Sequence, residues 1–94
     1  MKDKKVLDFY AKEYNEQDWN EYASSFPEVE NTDSRLKEIP YEIIKPLNRI
    51  LGYDDIYRWV NVDLRGLGHY KAIELLKTEK GTHALKAFIM RMPL

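Results

Sequence analysis

Leu85, Phe88, Ile89 and Met92 stand at i, i+3, i+4 and i+7, a spacing that lines four apolar side chains along one stripe of an α-helix and along no single face of a strand. Thr78, just upstream, offers a hydroxyl to the backbone of a first turn, so a helix is expected over residues 79–92. Such a stripe needs other elements to cover it, because an isolated helix this short is marginal in water. The 94 residues make one domain, since half of them would approach the ~40-residue size below which a core needs disulfides or a metal. Cysteine is absent, which excludes both disulfides and thiolate metal sites and makes the cytoplasm the expected location.

Other helices are read the same way. Val6, Phe9, Tyr10 and Tyr14 predict a helix over residues 4–14, and Asn15 is placed to cap a second one carrying Trp19, Tyr22 and Ala23 and ended by Ser24, Ser25 and Pro27. Residues 27–34 are polar and read as a loop. Ile39, Ile43, Ile44, Leu47, Ile50 and Leu51 also fall near helical spacing, but Pro46 lacks a backbone N–H, so a helix is expected to start there and run over 45–51, with Gly52 just past its end. Asp54 is expected to cap a helix over 55–60 that points Trp59 into the core. Residues 60–64 alternate apolar and polar and leave a short strand open; 65–68 read as a glycine-bounded loop, and 70–77 as a two-turn helix. The fold class is therefore all-α, a compact bundle of about five or six short helices, with Trp59, Leu75, Leu76, Leu85, Phe88 and Ile89 in the core. Residues 1–50 form an acidic helical segment of unassigned role and residues 51–94 a second region, within one folded unit.

Composition narrows the function. A hydrophobic content of 44% calls for a packed core, and no apolar run nears the ~18 residues of a membrane span. The net charge of −1 hides an asymmetry: residues 1–33 hold four Lys against nine Asp or Glu, and residues 65–94 hold six Lys or Arg against two Glu. Either the acidic part packs over the basic part, or each face meets a partner of opposite charge. His69 and His83 lack metal-ligand spacing, and no nucleophile context accompanies them, so neither a metal, a cofactor nor catalysis is expected. Asp54 and Asp55 are explained as helix-start residues, and Arg65-Gly66-Leu67-Gly68 lacks the order of a phosphate-cradling loop.

From Trp59 onward the order is more specific: Trp59, then Leu67-Gly68, then Glu74-Leu75-Leu76, Thr78, Gly81 and a closing amphipathic helix. This order resembles the C-terminal toxin-binding domain of the Xre, MbcA and ParS antitoxins, whose pattern runs through a Trp, LGG, P-x-E-L-L, a Thr and a Gly. The resemblance covers about residues 55–92. His69 stands where the family usually has a second Gly, and Ala72 where it has a Pro. No helix-turn-helix of the kind that usually precedes this domain is recognisable in residues 1–50, which lack a basic recognition helix.

What the resemblance implies is a bacterial or phage antitoxin-like protein that docks on and neutralises a partner toxin enzyme, commonly a RES-type enzyme that consumes nicotinamide adenine dinucleotide. In some members a basic residue near the C-terminus reaches the toxin's anionic ligand site, and Arg91 is the candidate here, with Lys86, His83 and Met92 beside it on the last helix. The alternative is a phage- or mobile-element-encoded inhibitor or transcriptional regulator acting on nucleic acid or a nucleic-acid enzyme, its acidic residues Asp8, Glu13, Glu16, Asp18 and Glu21 mimicking nucleic-acid charge. DNA binding and homo-oligomerisation stay open at this point.

Overall fold

Three helices begin where a side chain holds their first turn. Asp3 accepts from the Lys5 N–H ahead of α1 (Lys4–Glu13), Asn15 from the Asp18 N–H ahead of α2 (Glu16–Ser24), and Thr78 from the Gly81 N–H at 2.9 Å ahead of α6 (Glu79–Met90). The computed structural model describes residues 2–30 and 34–92. Its other helices are α3 (Tyr41–Leu51), α4 (Tyr53–Val60) and the single turn α5 (Ala72–Leu75), with 3-10 turns at Ser34–Leu36 and Arg65–Leu67. Among the described residues the architecture is mostly α, one globule of six short helices with a very small two-stranded sheet.

Several boundaries differ from the sequence reading, each for a physical reason. α3 starts at Tyr41 and carries Pro46 inside it rather than at its start. An interior Pro costs about 3 kcal/mol through a lost hydrogen bond and crowding. Burial of Ile43, Ile44, Pro46 and Leu47 on one face offsets it, since a fully buried aliphatic side chain contributes ~1.5 to 3 kcal/mol. α4 starts at Tyr53, directly after Gly52 at φ +86°, so Asp54 is not its cap; Asp54 and Asp55 lie in the first turn, where they favour the positive helix end, and Asp55 also accepts from Arg58 at 2.6 Å.

The expected two-turn helix over 70–77 is replaced by a strand and one helical turn. β1 (Asp63–Leu64) pairs antiparallel with β2 (Tyr70–Lys71), Leu64 opposite Tyr70. The reversal between them needs two left-handed residues in succession, Gly68 at φ +68° and His69 at φ +64°. The His69 N–H closes the turn on the Leu64 carbonyl at 2.9 Å.

The core draws on both halves of the chain. Trp19, Leu36, Ile43, Ile44, Leu47, Ile56, Leu67, Leu85 and Ile89 are essentially inaccessible to water. Trp19, not Trp59, is the central indole. α4 turns Ile56 and Val60, at i and i+4, inward, which leaves Trp59 on the flank and only partly buried; Leu76 and Phe88 likewise pack at the core's edge. α6 contacts α1, α2, α3 and α5, and accordingly buries Gly81, Ala84, Leu85, Ala87 and Ile89 rather than a single stripe.

Candidate partner-binding face

The motif residues from Leu67 to Gly81 lie around one corner, with Trp59 apart on the flank of α4. Leu67 and Leu75 are buried, Thr78 caps α6, and Gly81 lies so close to the end of α5 that an added Cβ would come within 2.9 Å of the Leu75 Cα and nearer still to its carbonyl oxygen. A glycine in a helix costs about 1 kcal/mol relative to Ala, and this approach is its reason. Gly68 is fixed from two directions: its backbone is left-handed, and a Cβ there would stand 2.5 Å from the Asp3 carbonyl oxygen. Glu74 accepts from Lys2 at 2.6 Å. The motif therefore acts mainly by shaping the β2–α5–α6 corner and by receiving the N-terminal residues.

The four residues expected to meet a partner are engaged within the molecule. Arg91 lies 3.4 Å from the Glu13 carboxylate with its guanidinium over the rings of Phe9 and Tyr10. His83 stacks on Tyr14, ring centroids 4.2 Å apart and nearly parallel. The Lys86 side chain is only 12% exposed; it pairs with Glu42 of α3 and lies above the Trp19 and Tyr14 rings. Met92 is partly buried against the core. Lys80 and Arg91 keep about half of their side chains exposed while Lys86 is largely covered; Lys80 pairs with Asp8, so carboxylates of α1 and α3 answer Lys80, Lys86 and Arg91.

What covers this face is α1, whose contact with α6 is the most extensive between any two elements described. Its inner stripe is Leu7, Tyr10, Ala11 and Tyr14, at i, i+3, i+4 and i+7, with Tyr10 edge-on to Phe88 at 5.4 Å. Charge follows suit. The hydrogen-bonded Lys80 ammonium holds the Asp8 carboxyl below its ordinary range, and Lys2 does the same to Glu74 while its own ammonium is raised. Burial pushes the Tyr14 phenol up.

The opposing charges at the chain's two ends left this contact as one of two readings, and the stripe expected over 4–14 is corrected: Leu7 and Ala11 face inward with Tyr10 and Tyr14, in place of Val6 and Phe9, and Phe9 is 48% exposed. Sequence alone missed the cation over Trp19, because a Lys on an amphipathic helix reads as solvated until a packed aromatic is placed beneath its stem. The nucleic-acid mimic reading loses two of its five carboxylates, Asp8 and Glu13, to intramolecular pairs, and keeps Glu16, Asp18 and Glu21 on the exposed side of α2. Among the described residues no cluster of His, Asp and Glu is arranged to hold a metal, and no helix is long and apolar enough to cross a membrane. No protein-family model, no curated protein and no solved structure matches the chain.

Proposed function

We propose that this chain is an antitoxin-like binding protein that docks on a partner toxin enzyme and neutralises it by occluding its active site, without catalysing a reaction itself. The observation that carries the reading is the backbone at residues 68 and 69. A family pattern with two successive glycines demands two positions that ordinary side chains avoid. This chain departs from that pattern at His69 and still holds the residue left-handed at φ +64°, beside Gly68 at φ +68°. A left-handed pair at these two positions is what such a pattern would require, and it supports the resemblance. Thr78 and Gly81, the motif's other two fixed points, also perform the local tasks their chemistry fits, a cap and a close approach.

On this reading α6 and its C-terminal end carry the recognition. Arg91 is the group for an anionic ligand site, because a guanidinium grips a diphosphate or carboxylate through two parallel hydrogen bonds. Its present partner, Glu13 at 3.4 Å, is a carboxylate that such a ligand would replace in kind.

The test is capture on the tagged full chain from cells that encode it, identification of the captured enzyme by mass spectrometry, and titration of that enzyme's activity with purified chain. Stoichiometric inhibition is expected, weakened at least about tenfold by Arg91→Ala, the scale of a lost charged contact, with the melting transition unchanged. A captured enzyme that works equally well with and without the chain defeats the reading. Recovery of nucleic acid, released steeply by salt, would favour the alternative of an acidic regulator.

A further inference from the structure

α1 differs in kind from the other helices. Each of α2 to α6 sinks at least two residues into the interior, whereas α1 buries none completely. Its hold combines the partly buried stripe of Leu7, Tyr10, Ala11 and Tyr14 with polar contacts at the rim: the Asp3 N–H on the Gly68 carbonyl at 2.8 Å, and the ion pairs Lys2–Glu74, Asp8–Lys80 and Glu13–Arg91, all with substantial exposure. It joins α2 through only Tyr14 and Asn15, both extended, the first stacked on His83 and the second capping α2. The outward ring of Phe9 is 48% exposed even with α1 in place.

We infer that α1 is a displaceable strap over α6, and that the face beneath it is a docking site for a partner's amphipathic helix of the same chemistry. α1 itself specifies what fits: apolar side chains at i, i+3, i+4 and i+7 (Leu7, Tyr10, Ala11, Tyr14) and carboxylates at i+1 and i+6 (Asp8, Glu13). The face answers with the Phe88 edge and the His83 ring for the aromatics and with Lys80 and Arg91 for the two acids. A neutral or basic helix would leave both cations unanswered, so charge complementarity selects an acidic one. A partner helix has to compete with a tethered occupant, and its apparent affinity is reduced by the fraction of molecules whose strap is closed. The inference rests on the reading of α6 as the partner-facing helix. Its test is made on this chain alone, so loss of the toxin-neutralising reading leaves the result standing.

Two measurements decide it. Native-state hydrogen exchange on the full chain should show α1 amides exchanging at least about 100-fold faster than those of Leu85 to Ile89, by an opening that spares α6. Equal protection, meaning that α1 opens only with global unfolding, overturns the strap. In the second, a fluorescent peptide of residues 2–14 is titrated against the full chain and against D8K/E13K, which sets like charges on Lys80 and Arg91. The peptide should bind the variant at least about tenfold tighter than the parent, because the closed fraction has fallen, and adding K80E/R91E to the variant should abolish that gain. Equal affinity for parent and variant, or no binding to either, overturns the docking site. Should D8K/E13K lose its cooperative melt, the exchange result on the parent chain decides alone, and faster α1 exchange that spares α6 supports the strap.

Discussion

α1 and α3 have ten and eleven residues and each presents an apolar stripe, yet α3 buries four residues completely and α1 none. α3 is fastened by area taken out of water, which is non-directional and is not weakened by charge screening. α1 is fastened by rings laid on a surface and by carboxylates meeting cations, a set of contacts that salt, acid or a competitor can undo. One protein thus contains a helix that defines its fold and a helix that the fold merely accommodates.

Substitutions sharpen this contrast most strongly in the core. Leu47→Ala, at a side chain of 0% exposure, is expected to lower stability by about 2 to 5 kcal/mol in denaturant unfolding. Leu7→Ala on α1 should fall within about 1 kcal/mol, as changes outside the core do. Comparable losses at the two positions would end the distinction.

A step smaller, Gly81→Ala places a methyl against the backbone of Leu75 and should cost about 1 to 3 kcal/mol by overpacking, even though Ala is the better helix former. Thermal melts with and without the substitution read this directly; a stabilised variant would show that the α5–α6 corner yields.

The smallest global effect, and the most local, is acid release of α1. Asp8 and Glu74 have folded-state pKa values below their unfolded ones, so the stability they contribute is fully present above the ordinary carboxylate range and is lost as pH falls through the depressed values. α1 amide exchange, corrected for its intrinsic pH dependence, should therefore accelerate in that acidic window while α6 stays protected, and molar salt at neutral pH should reproduce the effect in part. Acceleration confined to the alkaline side would contradict it.

Much of this was written locally in the chain. Asn15 and Thr78 announce their helices because a cap needs only one side chain and one turn of backbone, and the 79–92 pattern is strong enough to stand alone. Pro46 misled because its local penalty is real and is overcome only by tertiary burial, which spacing does not measure. An indole's size says that it packs, not how deeply, so sequence alone favours Trp59 for the core; the depth depends on whether Ile56 and Val60 or Trp59 face inward. The alternation over 60–64 leaves room for β1, but its partner β2 is hidden by having only two residues and by a His in a glycine's conformation before it. As for the candidate face, its basic residues were legible as charges and illegible as pairs, since Asp8–Lys80 and Glu13–Arg91 join positions more than seventy residues apart.

That separation bears on how the molecule comes into being on the ribosome. α1 is synthesised first among the described helices and α6 last, with about seventy residues between Tyr10 and Lys80, so at ~5 to 20 residues per second α1 emerges roughly 4 to 14 seconds before its platform exists. Through that interval Phe9, Tyr10 and Tyr14 travel on a nascent chain with nothing of its own to cover them, guarded from sticking elsewhere only by the charges interspersed among them.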